Sequence, residues 1–265
     1  MLLKIVLHLL VIVLLTAITQ IGGLIYLLAL PWVKKKAPKR RLKRLGIFAV
    51  LYLVATFLVV PFLAPKFGRE KIKETEFVQA HSFFYKFANR NYVRPELNRA
   101  ISDIATRYNE RNSGIQLVYL DANFPFVDGF PLLPHRSHDD GKKVDVTLVY
   151  EADGKLTNKK PSVSGYGVFE GPKPREYDQI GRCKQDGHWQ YDFPKYLSFG
   201  NINHDISFSK KGTRDLARTI ARQREVGKLF IEPHLKIRLG LTSTKVRYHG
   251  CRAVRHDDHI HFQLR

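Results

Sequence analysis

Arg255-His256-Asp257-Asp258-His259-Ile260-His261-Phe262-Gln263-Leu264-Arg265 closes the sequence. From His259 onward polar and apolar residues alternate with period two. A strand here carries His259, His261 and Gln263 on one face and Ile260, Phe262 and Leu264 on the other. The apolar face packs against a core. Two imidazoles on the opposite face, with His256 just before them, have the composition of a metal site.

A second box lies upstream, in His135-Arg136-Ser137-His138-Asp139-Asp140-Gly141-Lys142-Lys143-Val144-Asp145-Val146. Its H-x6-D spacing puts His138 before a glycine turn and Asp145 inside the strand that follows. The two boxes together supply His138, Asp145 and one histidine of the His259/His261 pair. Three N/O ligands with a fourth position left for water is the pattern of catalytic zinc. A closed structural site would ordinarily include cysteine. The only two cysteines, Cys183 and Cys251, have no companion at short spacing; they form either one disulfide or two buried thiols.

Around these boxes the pattern predicts strands at 115–120, 144–150, 163–169, 229–231, 245–248 and 259–264. A helix opens at Pro95, where Leu97, Ile101, Ile104 and Tyr108 make an apolar stripe. A second spans 214–226, with Thr213 as its N-cap and Gly227 as its stop. So few helices cannot alternate regularly with strands, so the expected fold is α+β with a mostly antiparallel sheet.

The N-terminal quarter is different in kind. Ile5 to Val33 and Leu45 to Pro65 contain no charged side chain, and each is long enough for a membrane-spanning helix. Between them, residues 34–44 carry eight cations in eleven positions. Every one of the 24 acidic residues lies at or beyond Glu70. A loop this basic stays cytoplasmic, which expects both ends of a two-helix hairpin, and all of 66–265, on the far side of the inner membrane. The cations have no interleaved aromatics, so lipid headgroups are expected as partners in place of nucleic acid. Of the formal net charge of +20, the outer part keeps about +11, which favours anionic surfaces.

The two boxes, in this order, resemble those of the penicillin-insensitive murein endopeptidases, zinc peptidases related to the lysostaphin and D-Ala-D-Ala groups. His135-x-x-His138-x-x-Gly141-x-x-x-Asp145 is similar to the paired-histidine, glycine and aspartate box of that family. His256-x-x-His259-x-His261 is similar to its H-x-x-H-x-H ending, and Leu229-Phe-Ile-Glu-Pro-His-Leu-Lys236 to its apolar strand running into proline and lysine. The likeness covers residues 130–265. It implies zinc held by His138, Asp145 and His261, with His259 and His256 as catalytic residues.

On this reading, residues 1–65 are a two-helix anchor, 66–129 a basic, aromatic connector and the start of the outer domain, and 130–265 the peptidase core. The implied activity is a periplasmic murein endopeptidase that hydrolyses amide bonds in peptidoglycan crosslinks. His259 would act as base or transition-state stabiliser, with His256 assisting. Two rivals remain. A D-Ala carboxypeptidase needs a cation for the free carboxylate, for which Arg136 and Arg255 are placed. A non-catalytic zinc-containing cell-wall binding protein would keep the metal and do no chemistry.

Overall fold

In a computed structural model, which describes residues 1–34 and 38–265, the part of the chain beyond residue 66 is a mixed α+β domain built on one six-stranded sheet. The strand order is Val246–Arg247, Val226–Phe230, His259–Leu264, Lys143–Thr147, Leu117–Tyr119, Val78–Ala80. The three inner pairings are antiparallel and both edge pairings are parallel. The C-terminal strand therefore sits near the middle, bonded on both sides. Ile260 and Phe262 on its apolar face are fully buried.

The helix Pro95–Asn109 packs Leu97, Ile101, Ile104 and Tyr108 into the same core with no exposure. That core runs from Ile72 to Leu264 without a break at 130, so the packing joins the connector region to the rest of the domain.

Several expectations are corrected. The second helix is Lys210–Arg222, capped by Ser209, whose side chain accepts from the Gly212 amide. Thr213 is turned inward instead and accepts from the Val149 amide. Val226 and Gly227 already belong to a strand.

Residues 163–169 are not a strand. Gly165 and Gly167 both take positive φ, 87° and 82°, which an extended ladder cannot accommodate. The 144–150 run is split: Lys143–Thr147 stays in the main sheet, while Tyr150–Ala152 begins a small antiparallel sheet with Lys155–Thr157 and Ser207–Phe208. Cys183 and Cys251 are joined in a disulfide.

The first apolar run is not one helix either. Leu2–Thr19 ends at Gln20, with φ 66°, and Gly22–Ala29 folds back against it. Gly23 makes this approach possible: a Cβ there would stand 2.6 Å from the Ile12 carbonyl oxygen. His8 Nδ1 and the Tyr26 hydroxyl meet at 2.6 Å across the hairpin. A third helix, Arg40–Phe67, returns alongside, so Lys4 lines the same groove as Arg40, Arg41 and Arg44. The start of the first helix thus lies on the side of the basic loop, not opposite to it. Of that loop, Lys35 and Lys36 fall outside the described residues.

Two helices, Leu2–Thr19 and Arg40–Phe67, are long and apolar enough to cross a membrane. The middle of the long helix is docked on the α+β domain: the Tyr52 hydroxyl donates to the Phe87 carbonyl at 2.7 Å. The Phe126 amide donates to Gln20 Oε1 at the tip of the hairpin.

Candidate metal centre

The register of the central strands assembles the site. His261 lies directly opposite Asp145 in the antiparallel pairing, and both side chains stand on the face away from Ile260 and Val146. His261 Nδ1 is 2.9 Å from Asp145 Oδ1. His138 comes from the loop preceding the Asp145 strand. Its Nδ1 donates to the Ala122 carbonyl at 2.6 Å, which leaves the Nε2 lone pair facing inward. That Nε2 is 2.9 Å from His261 Nδ1 and 3.2 Å from Asp145 Oδ1.

Three donor atoms about 3 Å apart match the edges of a tetrahedral site with ligand bonds near 2.0–2.1 Å, where the edge is about 3.3 Å. The fixed Nδ1–H of His138 is the usual second contact of a metal-binding imidazole. The buried Nε2 of His261 has no hydrogen-bond partner among the described residues; coordination through Nδ1 would place its proton there. The donor set and the hydrogen bonds therefore fit a bound cation.

Asp145 serves a second triad through its other oxygen. Oδ2 accepts from the Tyr166 hydroxyl at 2.8 Å and lies 3.4 Å from His135 Nδ1 and 3.7 Å from His259 Nε2. Both His138–Asp145–His261 and His135–Asp145–His259 are buried groups that could hold a metal ion. The first has the tighter convergence. In the second, His135 Nδ1 is engaged by Asp121 at 3.0 Å, and Asp121 is itself locked by Arg90 at 2.6 and 2.8 Å.

His259 is oriented differently from the ligands. Its Nδ1 donates to Asp258 Oδ1 at 2.5 Å, and its Nε2 is buried, turned towards Asp145 and without a hydrogen-bond partner among the described residues. A carboxylate behind Nδ1 with a free Nε2 in front is the arrangement of a positioned general base. His256 lies at the cleft side, its ring centre 4.9 Å from that of His259. Its backbone amide is held by Glu232 Oε1, while Glu232 Oε2 accepts from the Tyr191 hydroxyl.

Electrostatics separate these groups. Burial would raise Asp145, but the imidazoles of His138, His259 and His135 hold it well below the carboxylate range. Burial opposes charge on His259, yet Asp145 and Asp258 outweigh it and bring the imidazole up to about 9. His261 is taken down to about 4 by burial, against the pull of Asp145. Burial and the neighbouring His259 and His261 push His256 well below the usual imidazole range.

A cleft of about 770 Å³ opens onto His138, His256 and His261. His249, Arg136, Arg252, Trp189 and Phe193 line its walls, and among the described residues no acidic one does. Arg255, a candidate for a free carboxylate, is not in this cleft. It is buried and paired with Asp257 at 2.5 Å and Asp192 at 2.9 Å. Arg252, an exposed residue on the loop behind Cys251, takes its place.

All five sequence-predicted site residues, His138, Asp145, His261, His259 and His256, meet at one end of the sheet. Sequence reasoning missed Asp121, Tyr166, Asp258 as a partner of His259, and Glu232. Only Asp258 carried a signal, its adjacency to His259. No protein-family model and no curated protein matches this chain.

Proposed function

We propose that this chain is a zinc metallopeptidase of the murein endopeptidase type, anchored in the bacterial inner membrane with its catalytic domain on the periplasmic side. The observation that carries the reading is the convergence of His138 Nε2, Asp145 Oδ1 and His261 Nδ1 beside an Asp258–His259 pair. His138, Asp145 and His261 would hold the zinc. Bound there, zinc lowers the pKa of its water to about 7 and polarises a carbonyl oxygen.

The chain's own groups do the rest. A cation held by Asp145 would offset the carboxylate charge that raises His259; with Asp258 keeping the remaining proton on Nδ1, Nε2 would then accept a proton from the attacking water. The proton taken up by His259 would pass to the leaving amine, while His256, on the cleft side and neutral, is placed to hydrogen-bond the reacting groups. Glu232 fixes the backbone from which it projects. No serine or cysteine nucleophile is needed, so β-lactams would not inhibit.

The acid-free cleft walls favour an anionic substrate, and the carboxylates of peptidoglycan stem peptides meet that requirement. The bond cleaved would be an amide in the peptide crosslinks. Arg136 and Arg252 keep the carboxypeptidase alternative alive, because both are exposed cations on the cleft. A digest of crosslinked and uncrosslinked muropeptides with the full chain decides between them. Loss of dimers supports the endopeptidase; loss of terminal D-Ala alone supports the rival.

The membrane assignment rests on the Leu2–Thr19 and Arg40–Phe67 helices, which turn large apolar side chains outward, among them Leu10, Val13, Leu58 and Phe62. Alkali-resistant flotation of the full chain with membranes tests it.

A further inference from the structure

The three N-terminal helices enclose a groove of about 820 Å³ that has no role in the chemistry above. Its floor is apolar, formed by Leu7, Val11, Leu45 and Phe48, with the His8–Tyr26 hydrogen bond set into it. Its mouth carries Lys4, Arg40, Arg41 and Arg44. Because the sequence has no acid before Glu70, nothing within the N-terminal helices neutralises these cations.

Two further observations call for an anion. Arg40 Nε and Arg44 Nε are buried and have no hydrogen-bond partner among the described residues. Arg40 and Arg41 also open the Arg40–Phe67 helix, which has no side-chain cap among the described residues and no acid in its first turn. The positive end of the helix dipole and its free amides attract anions and repel cations. Placing arginines there is unfavourable unless a negative group sits among them.

We infer that this groove is a binding site for the phosphate of an anionic phospholipid, whose acyl chains lie along the Leu7, Val11 and Phe48 wall. A cationic mouth over an apolar floor matches an amphiphile, and basic pockets between membrane helices take lipid headgroups. The occupant is a lipid of the surrounding bilayer, because a free phosphate would leave the apolar floor uncovered. The inference rests on the membrane reading and is independent of the peptidase assignment.

The test uses the full chain purified in mild detergent from membranes containing phosphatidylglycerol, with retained phospholipid counted by native mass spectrometry. The wild type is expected to keep one phospholipid. Arg40→Gln/Arg44→Gln should lose it by about tenfold or more, while Lys155→Gln on the outer domain keeps it. An unchanged thermal melt of the variants shows that the outer domain is folded.

Equal retention by Arg40→Gln/Arg44→Gln and wild type overturns the inference. So does displacement of the lipid by millimolar inorganic phosphate, which would make this a free-phosphate site. If the chain fails to float with membranes, the membrane reading has failed; if it floats but retains no lipid, only the groove assignment has.

Discussion

His261 and Asp145 are register partners on adjacent antiparallel strands, with Nδ1 and Oδ1 2.9 Å apart at the centre of the sheet. The ladder that fixes the fold also fixes two ligands of the candidate metal centre. A slip of one residue in that ladder would turn His261 into the apolar core and put Phe262 opposite Asp145.

Asp145→Asn is therefore expected to abolish metal binding and lower stability. It removes the carboxylate that His135, His138, His259 and His261 share, leaving buried imidazoles without their anion. The loss should be about 3–5 kcal/mol, as for a buried ion pair deprived of one partner. Denaturant melts with and without chelator check both effects: chelator should lower the wild-type midpoint and leave the variant's unchanged.

Asp258→Asn separates orientation from coordination. Asp258 touches His259 Nδ1 and the Gly167 amide but neither His138 nor His261. The variant is expected to keep its metal and lose about 10²–10⁴-fold in kcat, the range of a general acid–base contribution. Simultaneous loss of metal would mean that His259, not His261, is a ligand.

Glu232 predicts a pH dependence. Burial pushes its carboxyl up to about 7 from 4.5, against the Tyr191 hydrogen bond. The folded state then binds more protons than the unfolded state between these values. Stability should fall as pH rises through that window, by roughly 3 kcal/mol in all. Glu232→Gln should flatten that part of the stability–pH profile while preserving the fold; an unaltered slope would contradict the assignment.

Much of this site was legible because period-two alternation and H-x6-D spacing are local signals. His259–Leu264 is the strand expected, and Leu97, Ile101, Ile104 and Tyr108 are the buried stripe expected. Tyr166 was hidden because 163–169 reads as a β-branched and aromatic run, while two glycines at positive φ turn it into a loop that delivers the hydroxyl to Asp145. Asp121 and Glu232 act through contacts distant in sequence, with Arg90, His135 and Tyr191, that no spacing announces. The break at Gln20 was invisible because a doubled-back hairpin and a single span share one apolar composition.

The disulfide ties the Gln179–Gln185 helix to the loop carrying Arg252, across a sequence separation of 68. A closed loop of that size contributes about 4 kcal/mol in the chain-entropy account. Cys183→Ala/Cys251→Ala should lower the melting temperature and raise KM more than it lowers kcat, since it loosens a cleft wall and leaves the ligands in place. Steady-state kinetics beside thermal melts read this out; a metal-free variant would show that the bridge supports the site itself.

The most direct test of the central claim is the metal content of the purified full chain, wild type against His138→Ala, by elemental mass spectrometry. The account predicts about one zinc per chain and its loss from the variant. A wild type that binds no metal, or a His138→Ala that keeps it, would contradict the assignment of His138, Asp145 and His261 as a metal centre.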